Sequence, residues 1–163
     1  AQSPQLYKQM MVATGFERVF EVGPVFRAEE HNTSRHLNQF LSLDIEMGFI
    51  EGVEDVMSME EEFIAYAMGE LASNCARELG LLGQKVPAMV PIPRLDVDEA
   101  RDLAEKRLGH RMPAGNLDPE GERAVSQAIL EKEGSEFVFI TGYPVEVRPF
   151  YAMPDSEIGR AHV

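Results

Sequence analysis

The sequence predicts an α+β fold, an antiparallel sheet flanked by helices with a small helical insertion. Three observations predict it. Two adjacent segments, 18–27 and 40–50, alternate apolar and polar residues with the period of a strand. The polar stretch 30–34 joins them as a loop. Helical apolar spacing is segregated into separate segments rather than alternating with strands. The 163 residues suit one domain with a sizeable core.

The first element is a helix. Ser3-Pro4 opens it, with Ser3 as N-cap and Pro4 at the first helical position. It should run to about Thr14 and stop at Gly15. Leu6, Tyr7, Met10 and Met11 form its apolar face, while Gln5, Lys8, Gln9 and Val12 lie elsewhere. Gln5 and Lys8 are neighbours at i,i+3.

In the first strand, Phe20, Val22 and Phe26 point one way, and Val19, Glu21, Gly23, Val25 and Arg27 the other. Pro24 suggests an edge or a bulge. In the second strand, Leu41, Leu43, Ile45, Met47 and Phe49 share one face, opposite Ser42, Asp44, Glu46 and Gly48. That pattern predicts a buried apolar face and an acidic face turned to water or a ligand.

Residues 53–79 carry the longest helical pattern, bracketed by Gly52 and Gly80, with a glutamate-rich solvated face. Cys75 falls on its apolar stripe and reads as core. The proline-rich segment 83–93 is a connector. Two shorter helices follow, about 97–108 and 119–132, capped by Asp96 and Asp118. They read as an insertion on the side of the sheet. Strands are expected at 136–141 and 145–148, interrupted by Gly142-Tyr143-Pro144.

Composition narrows the function classes. No apolar run is long enough to span a membrane, and no secretory signal pattern is present. The single cysteine cannot form an internal disulfide, which points to a reducing, cytoplasmic setting. No Cys/His cluster has zinc-ligand spacing. A net charge of −13 repels nucleic acid on average. Arg101, Lys106, Arg107 and Arg111 could form a local basic face, but a solvated helix is the favoured reading.

The chemistry concentrates between Gln5 and Glu46. Arg27 stands on the polar strand face just before the turn, where a guanidinium can clamp a phosphate or a carboxylate. The bland alternative is a surface salt bridge to Glu29 or Glu46. Phe26-Arg27-Ala28-Glu29, a loop, then His36 and Phe40 resemble motif 2 of the class II aminoacyl-tRNA synthetases. SPQLYKQ upstream, FLSLDIEM downstream and RPFYAMP near the end are similar to the aspartyl enzymes of the class IIb group, archaeal/eukaryotic type. The resemblance makes 1–155 a partial catalytic domain, with motif 2 at about 18–50 and the helical insertion at about 83–134. Residues 156–163 form an unmatched tail.

The resemblance implies roles for individual residues. Gln5 and Lys8 would recognise aspartate, Lys8 through the substrate's side-chain carboxylate. Asparagine would then leave the Lys8 charge buried and unpaired, at a cost of a few kcal/mol. Arg27 would act catalytically, on the ATP α-phosphate and the aspartyl carboxylate. Glu29 would accept from the adenine amino group or organise the loop. Arg35, His36 and Leu37 would belong to the loop closing over ATP, with Arg35 or His36 near the γ-phosphate. Asp44 would bind the substrate ammonium or orient Lys8. Ser3 reads equally as a cap and as a wall of the site. ATP and Mg²⁺ are implied, without a metal ligand in this sequence.

The implied reaction forms aspartyl-adenylate and passes the aspartyl group to tRNA. The implied enzyme is a homodimer. Its tRNA contacts come mainly from an anticodon-binding barrel not represented here. Motif 1 and motif 3 are not represented either, so the chain is expected to be a fragment, inactive alone. Two other readings remain at this point. One is a paralogue using the same adenylate chemistry, such as an asparagine synthetase. The other is a non-catalytic synthetase-like binding domain.

Overall fold

The computed structural model describes residues 2–28, 37–88 and 91–154. They fall into two compact units, Ala1–Gly52 and Val53–Val163.

The first unit contains helix α1 (Gln5–Ala13) and strands β1 (Arg18–Phe26) and β2 (Gln39–Met47). The strands pair antiparallel without interruption, from Arg18 opposite Met47 to Phe26 opposite Gln39. Pro24, opposite Leu41, therefore causes no bulge. In this two-stranded sheet both strands are edges, so its missing N–H is tolerated. The second strand ends earlier than expected. Phe49, expected on its apolar face, lies past the strand with φ 57°.

Ser3 does not cap α1. The first helical bond runs from the Lys8 N–H to the Pro4 carbonyl at 3.1 Å, which makes Pro4 the boundary residue, without a side-chain cap. Thr14 and Gly15 end the helix as expected, with Gly15 at φ 104°.

Burial in this unit reverses the expected pattern. Leu6, Tyr7, Met10 and Met11 are exposed, and the buried residue of α1 is Lys8. Phe20, Val22, Phe26, Leu41, Leu43 and Ile45 are exposed as well. The sheet has two faces, and the described residues of the unit form one helix. Ion pairing of Lys8 draws that helix onto the acidic face, and the apolar face stays open. Gly48 permits the close approach, because a Cβ there would stand 2.5 Å from Val12 Cγ1.

The second unit begins with α2 (Val53–Asn74) and α3 (Ala76–Leu82). The single helix expected over 53–79 is broken at Cys75, which has φ −120° and is half-buried rather than core. Side-chain bonds from Ser73 to the Gly69 carbonyl and from Asn74 to Glu70, both 2.8 Å, mark the end of α2. The left-handed terminus is Gly83, not Gly80. Part of the glutamate face is engaged rather than solvated. Glu61 accepts from the Ile92 N–H at 2.7 Å, and Arg94 reaches Glu54 at 3.0 Å and Glu61 at 3.4 Å.

Strand β3 (Arg94–Asp96), helices α4 (Val97–Leu108) and α5 (Pro119–Glu133), and strand β4 (Phe139–Thr141) follow. β3 and β4 pair in parallel. β3 is too short to display a period, which is why the sequence did not reveal it. Both expected caps form. Asp96 accepts from the Asp98 N–H at 2.8 Å, and Asp118 from the Glu120 and Gly121 N–H groups at 3.0 and 2.8 Å. Each such cap contributes about 1 kcal/mol. Ala100, Ala104, Met112, Leu117, Ala124, Val125 and Ile129 form one buried cluster, against which Leu95, Val138 and Ile140 pack. The expected strand at 145–148 is instead a 3-10 turn, Val145–Val147. Pro144 supplies the acceptor for the Val147 N–H at 3.2 Å. Arg148, just beyond, stacks over the Tyr143 ring at 3.9 Å.

Candidate active site

The strand register builds the site. Opposite pairs Val19–Glu46, Glu21–Asp44, Gly23–Ser42 and Val25–Phe40 share the sheet face that α1 covers. One residue past β1, the Arg27 N–H donates to the Asn38 carbonyl at 2.9 Å, extending the pairing to the mouth of the loop.

Lys8 is the centre. It is 5% exposed. Its ammonium meets Asp44 Oδ1 at 3.3 Å, the Ile45 carbonyl at 3.4 Å and Glu46 Oε2 at 3.5 Å. Gln5 Nε2 donates to the same Glu46 oxygen at 3.5 Å. The Asp44 carboxylate is held on its other side by the Ser42 hydroxyl at 2.6 Å. That bond is the main reason its pKa lies below the ordinary value. Lys8 and Arg27 act in the same direction, against burial. Asp44 is therefore an anion at neutral pH.

Arg27 carries its guanidinium 5.3 Å above the Phe40 ring. Glu46 is paired with Lys8 and not with Arg27, so the surface salt bridge to Glu46 does not form. Among the described residues Arg27 has no carboxylate within ion-pair distance. The ring fixes the plane of the guanidinium.

A shallow cleft beside Asp44 is lined by Ser3, Pro4, Glu21, Gly23, Pro24 and Val25. Ser3 thus contributes a wall, the second of its two sequence readings. The missing side chain of Gly23 leaves the floor open.

The structure brings Gln5, Lys8, Arg27 and Asp44 to one sheet face. Leu37 is exposed at the mouth of the loop. Glu29, Arg35 and His36 lie outside the described residues. The sequence reading overlooked Glu21, Ser42 and Glu46 as site residues. Strand alternation already placed all three on this face, and that signal could have found them. One expectation is corrected. Lys8 does not wait with an unpaired charge, because two carboxylates already face it. Among the described residues no group of three potential ligands could hold a metal ion, and no helix is long and apolar enough to cross a membrane.

Comparison with known proteins agrees with this architecture. The family of tRNA synthetases class II (D, K and N) matches residues 1–162. The aspartate–tRNA(Asp/Asn) ligase of Deinococcus radiodurans is 54% identical over 156 residues, which cover 95% of this chain and 36% of that protein. The aspartate–tRNA(Asp) ligase of Pyrococcus abyssi is 48% identical over 155 residues, with 94% and 35% covered. Among solved structures, an aspartyl tRNA synthetase from Entamoeba histolytica superposes with a TM-score of 0.87 at 34% identity, over 99% of this chain and 34% of that one. The chain spans about a third of the length of the curated relatives it matches. The α+β fold is that of part of a class II synthetase. By fold and by sequence, the chain belongs to the tRNA synthetases class II (D, K and N).

Proposed function

We propose that this chain is part of an enzyme that activates L-aspartate with ATP and transfers the aspartyl group to tRNA. The observation that carries the proposal is the grouping of buried Lys8 with Asp44 on the sheet face that also carries the Arg27 guanidinium, stacked over Phe40. Such a face can hold an amino acid beside a nucleotide phosphate. The names of the relatives support aspartate as the amino acid and tRNA as the acceptor, over the asparagine-synthesising and non-catalytic alternatives.

Aspartate's α-carboxylate attacks the α-phosphorus of ATP, a phosphate oxygen bond breaks, and pyrophosphate leaves. The tRNA terminal ribose then takes the aspartyl group from the adenylate, and AMP leaves. Arg27 binds the α-phosphate and stabilises its developing charge. Gln5 and Lys8 hold the amino acid, with Lys8 directed at its side chain. Asp44, kept anionic, orients Lys8 and faces the substrate ammonium. Glu29, Arg35, His36 and Leu37 are assigned to the nucleotide. Catalysis is positioning and charge stabilisation, without a covalent enzyme intermediate. Mg²⁺ accompanies ATP and offsets phosphate charge. Asp44 and Glu46 are already engaged by Lys8, so we assign no protein ligand to it. We place the enzyme in the cytoplasm as a homodimer.

The test is aspartate-dependent exchange of pyrophosphate into ATP by the intact gene product. Arg27→Ala should lower kcat/KM by about 10²- to 10³-fold, the usual cost of one transition-state donor, with an unchanged thermal unfolding curve. Exchange that survives the substitution within a few-fold would remove Arg27 from its assigned role.

A further inference from the structure

Lys8 has three donors, and three acceptors face them: Asp44 at 3.3 Å and the Ile45 carbonyl at 3.4 Å as hydrogen bonds, and Glu46 at 3.5 Å as an ion pair. Two of these partners are carboxylates, so the charge around the ammonium is overcompensated before any substrate arrives. A third carboxylate would add repulsion without gaining a donor. One partner must therefore leave when the aspartate side chain binds.

The geometry decides which one. The Ile45 carbonyl is backbone within β2 and cannot leave without breaking the strand. Asp44 is anchored on its second oxygen by Ser42 at 2.6 Å. Among the described residues Glu46 is held by long contacts, 3.5 Å to Lys8 and 3.5 Å to Gln5.

We infer that Glu46 is a placeholder for the substrate's side-chain carboxylate. It occupies the third donor of Lys8 in the substrate-free enzyme and yields that donor when aspartate binds. Glu46 acts through Lys8 and is a positioning residue. Its consequence is that any ligand entering beside Lys8 must displace a carboxylate. Asparagine cannot replace the charge on Lys8 that Glu46 gives up, whereas aspartate restores it. Every bound aspartate must nevertheless displace Glu46, so affinity for aspartate is lowered in exchange.

The inference rests on the aspartate reading above, and the experiment separates the two. Glu46→Gln keeps the shape and the contact with Gln5 but removes the competing charge. Aspartate and asparagine binding are measured calorimetrically on the intact gene product, with exchange kinetics alongside. For Glu46→Gln, the dissociation constant and KM for aspartate should fall by roughly three- to tenfold, the range of a partly screened ion pair. KM for ATP should stay within twofold of wild type, roughly the scatter of such measurements. The dissociation constant for asparagine should fall as well, because in Glu46→Gln asparagine no longer displaces a charged partner of Lys8. Glu46→Ala, which also loses the Gln5 contact, should move aspartate affinity in the same direction. Unchanged or weakened aspartate binding in both variants overturns the placeholder role and leaves the aspartate reading intact. A wild-type protein that binds no aspartate overturns both.

Discussion

In the first unit the polar side chains lie beneath the helix and the apolar ones face outward; in the second, the α4–α5 layer does the reverse. Lys8, Asp44 and Glu46 are gathered under α1, while Phe20, Leu41 and Leu43 are exposed. Around α4 and α5, Ala100, Val125 and Ile129 are buried, and Arg101 and Arg107 are outside. The difference shows what each unit is built for. The second unit holds itself together by burying apolar area. The first gives its covered face to charge recognition and leaves an apolar sheet face that the described residues do not cover.

Substitutions can break this contrast directly. Ile129→Ala removes side-chain atoms from a site 2% exposed and should cost about 2–4 kcal/mol. Leu41→Ser acts on a side chain 75% exposed and should change the stability of this chain by about 0.5 kcal/mol or less. Denaturant unfolding of both variants measures the difference. Equal costs would mean that the β1–β2 face is packed after all.

A smaller effect is expected at Gly48, where the polar face depends on close approach. A Cβ there would meet Val12 Cγ1 at 2.5 Å. Val12 is β-branched on a helix and has little rotamer freedom with which to retreat. Gly48→Ala should therefore destabilise the docking of α1 by about 1–3 kcal/mol. Because α1 carries Lys8, KM for aspartate should rise in the intact gene product as well. A melting curve and a KM that both match wild type would show that the helix is not held there.

What could be read from the sequence follows the same division. The ends of α4 and α5 were legible because Asp96 and Asp118 are caps, and a cap acts within three residues. The β1–β2 hairpin was legible because strand alternation is local. The face that is buried was not. Hydrophobicity alone favours burying Leu41 and Leu43, and only the ion pairs of Lys8, with Asp44 36 positions away, decide otherwise. Lys8, Arg27 and Asp44 were legible through motif spacing. Strand alternation put Glu46 on the same face, but its pairing with Lys8, far earlier in the chain, shows only in the fold. Cys75 failed as a core residue because the backbone leaves the helix at this position, φ −120°, and breaks the apolar stripe there.

The smallest expected effect sharpens the contrast from outside the core. Arg107 on α4 binds both oxygens of Glu131 on α5, at 2.9 and 2.7 Å. These bonds, joined by one from Gln127, lower the Glu131 carboxyl from its ordinary 4.5 to about 2. Between those values the unfolded chain binds the proton and the folded one does not. The pair's contribution to stability is therefore complete above about pH 4.5 and is lost as pH falls toward about 2. Both side chains reach solvent, so the contribution is small and weakened by salt. In an NMR titration Arg107→Ala should return Glu131 toward 4.5 while the α4–α5 core stays folded. The engaged guanidinium also argues that this basic face is a solvated helix surface rather than an RNA site. A wild-type Glu131 that already titrates near 4.5 would mean that Arg107 is free, and would reopen the face to an anionic partner.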